Sequence, residues 1–206
     1  MKDILLLGKK IITDKSELLL DYKPDENWRQ FWQVMGGDWE YRDGWLIGKE
    51  TGNNGGILFS KQEFESDVMM IFTAATVLPA TRDVNAVYCA HWNYEIGYLG
   101  ESYVVGLNGW FEEKSGIERN SNNGIYATTS LYHYVPGQNV RICTGAISGH
   151  NFLIVDDELI TELIDPNPIS GGHVGFSPYC TQLRIKDIEI RKIYWEERMQ
   201  SYEPEF

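Results

Sequence analysis

The sequence predicts an all-β domain: two antiparallel sheets packed face to face as a β-sandwich, preceded by one short helix. Three observations carry that reading. From Trp39 onward the chain alternates or runs apolar in pieces of five to nine residues, each closed by turn-forming residues. Its load of Trp 7, Tyr 12 and Gly 20 suits pleated faces and tight turns. No repeat, low-complexity linker or change of composition divides the 206 residues, so residues 1–206 read as a single domain with a full core.

The elements follow in order. MKDILLLGKK holds an apolar run of only four residues, Ile4 to Leu7. A secretory leader uses about 7–15, and no stretch nears the ~20 apolar residues that span a bilayer. A cytoplasmic location is expected. Residues 26–35, ENWRQFWQVM, place Trp28, Phe31, Trp32 and Met35 at helical spacing before Gly36-Gly37, which predicts the short helix. Asp43-Gly44, between two short apolar runs, is a hairpin signal. Strand-like segments then recur from GGILFS to LRIKDIEIRKI at sandwich intervals. Within VRICTGAISGHNFLIVDDELITELIDP, SGHN and Asp156-Asp157 predict tight turns, because Asp and Asn tolerate left-handed φ and bond nearby N–H groups. His150, beside the first turn, is expected to be exposed. Cys89, Cys143 and Cys180 are odd in number and lie inside apolar segments, so all three are expected as buried, reduced thiols. The net charge of −12 repels phosphate backbones and anionic lipid. Neither nucleic acid nor a membrane surface is an expected partner, while neutral or cationic ligands stay open.

WEYRDGWLIGKETGNNGGILFSKQEFESDVMMIFTA resembles the opening of concanavalin A-like (galectin-like) jelly-roll domains from bacterial sugar-degradation loci. It has a Trp before an acidic-Gly hairpin, then Gly-Gly-x-Leu, Lys-x-x-Phe and an apolar strand. GHNFLIVDDELITELIDPNPISGGHVGFSPYCTQLRIKDIEIRKI resembles their closing half, with a Gly-x-Val-Gly-Phe strand and a final Ile/Val-rich strand. Similar in pattern are the YesU-like bacterial proteins of unknown function and the 3-keto-disaccharide hydrolase domains. The likeness spans roughly residues 38–193 and rests mostly on structural motifs. One departure is Asp157, where many relatives carry Gly. The resemblance implies a saccharide ligand held on the concave side of one curved sheet, and it matches Asn85 to an Asn common at the start of a groove strand.

Alternation divides the candidate residues by face. In DVNAVYCAHWN, Val84, Ala86, Tyr88, Ala90 and Trp92 share one side; Asn85, Val87, Cys89, His91 and Asn93 share the other, which reads equally as a sugar-facing groove or a solvated surface. In ESYVVGLNGWFEEKSGIERN, Gly106 and Gly109 remove side chains where a ligand could approach. Trp110 could stack on a pyranose, or fill the core. Asn85, Tyr103, Asn108 and Arg119 are candidates to hold hydroxyls or a carboxylate. His91 with Glu112 or Glu118 are candidates to move protons. The Glu-x-Asp-x-(x)-Glu pattern of the superfamily's glucanases is missing from any groove-type strand. Glu63, Glu65 and Asp67 imitate it where a solvated edge is the plainer reading. His91, His133, His150 and His173 are scattered, and no phosphate loop or dinucleotide fingerprint is present, so neither metal nor cofactor is expected. Calcium at the Asp165–Pro168 loop is left open but unsupported, because its oxygen ligands must number six to eight. The expected function is binding of a mono- or oligosaccharide, with cleavage or modification left open. The alternatives are a non-catalytic carbohydrate-binding module, or a structural protein that forms a homo-oligomer through exposed aromatics.

Overall fold

The computed structural model of the chain describes residues 2–52, 55–120 and 124–198. In chain order the strands are β1 (Ile4–Leu6), β2 (Lys9–Ile11), β3 (Glu17–Tyr22), β4 (Trp32–Val34), β5 (Asp38–Arg42), β6 (Trp45–Lys49) and β7 (Leu58–Glu65). There follow β8 (Val68–Thr76), β9 (Val84–Ala90), β10 (Trp92–Asn93), β11 (Tyr98–Leu99), β12 (Ser102–Trp110), β13 (Lys114–Asn120) and β14 (Tyr126–Thr129). The last are β15 (Val140–Ile147), β16 (His150–Val155), β17 (Glu158–Ile164), β18 (Gly171–Phe176), β19 (Gln182–Lys192) and β20 (Trp195–Glu197). Two antiparallel sheets dominate. One runs β14-β13-β12-β9-β18-β7-β4; the other runs β17-β16-β15-β8-β19-β6-β5, with β3 also paired to β19.

The core lies between them. Val84, Ala86 and Tyr88 of β9 and Tyr103, Val105 and Leu107 of β12 face Met70, Phe72 and Ala74 of β8 and Ile185, Ile188 and Ile190 of β19. Alternate residues of β8, β9 and β12 face this core, as period-two geometry dictates, and each fully buried aliphatic or Phe side chain contributes about 1.5–3 kcal/mol. A third layer was not anticipated. The three strands β1, β2 and β20 form their own small sheet. Through Ile4, Leu6, Ile11 and Trp195 it covers Met69, Ile71, Phe152 and Ile154 on the outer face of the second sheet. No helix among the described residues is long and apolar enough to cross a membrane.

The turns follow their chemistry. Asp43-Gly44, Ser148-Gly149 and Asp156-Asp157 each link two strands with both residues at positive φ, the mirror-image turn that matches strand twist. Asp156 and Asp157 hold that geometry without glycine, and the Asp156 carboxylate accepts the Arg141 N–H at 2.9 Å. The acidic cluster is a hairpin tip.

Three expectations need correction. The helix expected over 26–35 is a single 3-10 turn at Trp28–Gln30 followed by β4. Pairing Trp32 with Ser60 of β7 buries Trp28 and Trp32 and leaves Phe31 out, so the sheet's hydrogen bonds override the helical spacing. His150 is buried rather than exposed, because the two-residue turn makes it the first residue of β16; its ring nitrogens meet Glu162 at 2.7 Å and Lys9 at 3.2 Å. Cys89 and Cys143 are buried free thiols, but Cys180 is exposed in the bend before β19.

Candidate functional site

Two residues at positive φ decide which side chains reach the outward face of the first sheet. Cys89, at φ 49°, turns into the core beside Tyr88, and alternation resumes out of phase. Ala90 and Trp92 therefore join Val87 on the outer face, where they meet Ile57, Phe59, Leu99 and Val104. Asn108, at φ 52°, breaks the pairing of β12 with β13 between Gly106 and Trp110 and swings the Trp110 indole over β13.

A pocket of about 240 Å³ opens on this face. Asn85 of β9, Val104 of β12, and Glu118 and Asn120 of β13 line its sheet side, the last two because alternate residues share a face. Tyr98 and Leu99 of the small β10–β11 hairpin, Trp110 and Tyr179 form its walls. The Asn120 amide donates to the Leu99 and Gly100 carbonyls at 3.2 and 2.7 Å, pinning the hairpin to the sheet. The half-buried Trp110 donates its Nε1–H to Glu118 Oε2 at 2.8 Å, fixing both the ring and the carboxylate.

Asp83 completes the pocket. It stands just before β9 at φ 60°, and only 3% of it is exposed. Its Oδ1 accepts the Asn85 amide at 3.3 Å and its Oδ2 meets Arg82 Nε at 3.0 Å. Burial pushes the carboxyl from its ordinary 3.8 up to about 6; Arg82 and the Asn85 hydrogen bond oppose the rise, and Glu50 adds to it. Gly106 and Gly109 leave room for this arrangement. A Cβ at 106 would overlap Asn85 Oδ1, and one at 109 would stand 3.2 Å from Asp83 Oδ1.

The structure thus brings Asn85, Trp110 and Glu118 together and sends the other candidates elsewhere. Tyr103 is fully buried in the core, its hydroxyl donating to Asp165 Oδ2 at 2.8 Å. Arg119 lies on the same side of its strand as Tyr103, its register partner, and its guanidinium binds Asp165 at 2.8 Å and also Glu101. The Asn108 amide is committed to the Thr81 and Tyr134 carbonyls. Glu112 sits exposed in the β12–β13 turn, 3.5 Å from Lys114. His91, displaced by the Cys89 bulge, is exposed and bonds the Gly171 carbonyl at 2.9 Å. Glu63, Glu65 and Asp67 line a separate hollow with Glu17, where Glu65 pairs with Lys192 at 2.7 Å and Asp67 accepts the Ser148 N–H at 2.8 Å. Sequence reasoning missed Asp83, Tyr98, Asn120 and Tyr179. The available signal was Asp83 standing two residues before Asn85, on the same parity.

No protein-family model matches the chain, and no curated protein matches it in sequence. Solved structures do. A protein of unknown function with a galectin-like fold from Bacillus subtilis is 10% identical, with 86% of this chain and 96% of that one covered and a TM-score of 0.59. A β-1,3-1,4-glucanase (lichenase) derived from a mouse hindgut metagenome is 12% identical over 84% and 95%, with a TM-score of 0.54. The carbohydrate-binding module CBM66 from Bacillus subtilis is 15% identical over 81% and 95%, with a TM-score of 0.52. What is shared at such low identity is architecture, and it is that of the concanavalin A-like, galectin-like jelly roll.

Proposed function

We propose that the chain binds a short saccharide in the pocket between β9, β12, β13 and the β10–β11 hairpin. The observation that carries this reading is the meeting of an indole, two tyrosines, two amides and two carboxylates in one hollow of about 240 Å³. An aromatic wall suits the apolar face of a pyranose, and carboxylates are strong acceptors for its hydroxyls. The acidic lining favours a neutral sugar over an anionic one. A carbohydrate-binding module and a lichenase of the same architecture support the choice of ligand class. Calorimetric titration with a panel of neutral mono- and disaccharides tests it. Trp110→Ala should weaken binding by about 1–3 kcal/mol, the scale of an apolar side chain withdrawn from contact. A wild-type protein that binds none of them, or a variant that binds as well, removes the proposal.

Asp83 favours a second reading, hydrolysis of the bound glycoside. With its carboxyl near 6 it carries a proton at mildly acidic pH, as an acid catalyst must. Glu118 Oε2 is held by Trp110, which leaves Oε1 for a water or an anomeric carbon. The proton-transfer role considered for His91 passes to Asp83. Turnover of aryl glycosides should fall as pH rises through about 6 and vanish in Asp83→Asn, while sugar affinity persists. Turnover that survives Asp83→Asn removes Asp83 from the reaction, and no turnover in the wild type leaves the pocket a binding site alone.

A further inference from the structure

At the far end of the strand order from β14, the chain crosses from β4 to β5 and so passes from one sheet to the other. A mouth of about 730 Å³ opens at that crossing, roomier than the pocket described above. Trp32 and Trp39, both buried in the core, close its inner end, and the Trp39 ring lies so close on Gly48 that a Cβ there would overlap it. Gln33 and Gln182 stand on its two sides.

Its charge is the unusual feature. In a chain of net charge −12, the mouth holds three cations, Arg29, Lys49 and Lys61, against two carboxylates, Asp38 and Glu40. The three cations take part in no ion pair among the described residues, whose pairs use other lysines and arginines. Arg29 lies over the Trp28 ring at 4.0 Å, and Glu40 is 3.5 Å from Arg42, outside the mouth's lining. Asp38 stands opposite Lys49 in register without pairing to it. Unpaired cations converging on a recess in an otherwise negative surface concentrate anions there.

We propose that this mouth is a second ligand site, and that its ligand is a carboxylate-bearing saccharide of the uronic acid class. Arg29, Lys49 and Lys61 receive the carboxylate, and Gln33 and Gln182 bond ring hydroxyls. The site is independent of the neutral-sugar pocket and stands or falls without it.

The test uses the full chain with methyl β-D-glucuronide, methyl β-D-glucoside and sodium sulfate as probes, by calorimetry and by two-dimensional NMR. The glucuronide should bind roughly tenfold more tightly than the glucoside, the effect of one charge-assisted contact. Its affinity should fall between about 50 and about 500 mM NaCl. Lys49→Gln with Lys61→Gln, both exposed positions, should weaken it roughly tenfold, and Trp110→Ala should leave it unchanged. Resonances of the Trp39 indole and the Gln33 and Gln182 amides should move on titration of the unaltered protein, which keeps the test decisive if the double variant folds poorly. No glucuronide binding at millimolar concentration, equal affinity for the glucoside, or shifts confined to Asn85 and Trp110 would overturn the proposal. Sulfate that binds as tightly as the glucuronide would also overturn it, by reducing the mouth to a general anion patch.

Discussion

Asp83 is almost wholly buried with one cation beside it, and burial outweighs that cation, so its carboxyl gives up its proton less readily than a solvated one. The folded protein therefore holds this proton more tightly than the unfolded chain does. As pH rises from 3.8 through about 6, the folded state must give the proton up at a cost the unfolded state does not bear, and stability falls. A shift of this size corresponds to about 3 kcal/mol. Asp83→Asn removes the titration. Urea denaturation from pH 4 to 8 should show the variant gaining on the wild type up to about pH 6, then holding a constant advantage. A difference that does not change with pH would mean that Asp83 titrates like a solvated carboxyl.

Arg119 shows how one residue binds a strand to a loop. Its guanidinium, with 8% of the side chain exposed, joins β13 to the fully buried Asp165 carboxylate, which also receives the Tyr103 hydroxyl and the Asn167 N–H. Arg119→Met would take the cation away from the buried Asp165 carboxyl, and breaking such a buried pair costs about 3–5 kcal/mol. The urea midpoint should drop accordingly, with sugar affinity little changed because Arg119 does not line the pocket. This corrects the expectation that Arg119 holds a ligand. The alternation of β9 and β12 was plain in the text. Val84, Ala86 and Tyr88 share one side and lie in the core, but Ala90 and Trp92 of the same parity lie on the outer face. Tyr103, expected to hold a ligand, is in the core with Val105 and Leu107. Alternation cannot report a residue that leaves extended geometry. Cys89 and Asn108 each do so, and His91 and Asn108 were misassigned for that reason. Trp110 and Glu118 still meet, the indole against the carboxylate across the hairpin that joins their strands. Tyr98 and Leu99 of the pocket come from a separate hairpin, and Ser177 and Tyr179 from the segment before β19, whose approach is a property of packing and not of spacing.

The sandwich as a whole is three layers deep on one side. Nothing in the ILLL run indicated that Ile4 and Leu6 would serve as a cover, since a short apolar run does not name the face it meets. Ile11 is wholly buried beneath that cover. Ile11→Ala should cost about 2–5 kcal/mol by leaving a cavity, measured as a lowered urea midpoint, with saccharide binding at the opposite sheet intact. A variant as stable as the wild type would show that the small sheet is loosely attached. The strand β19 carries a further implication for how the protein is made. It hydrogen-bonds to β3, β6 and β8, all from the first 76 residues, yet it begins only at Gln182. A nascent chain emerging from the ribosome must wait through more than a hundred residues of synthesis with those partners unjoined. Such a chain should depend on a chaperone while translation proceeds, and acquire protease resistance only once Lys192 has cleared the exit tunnel.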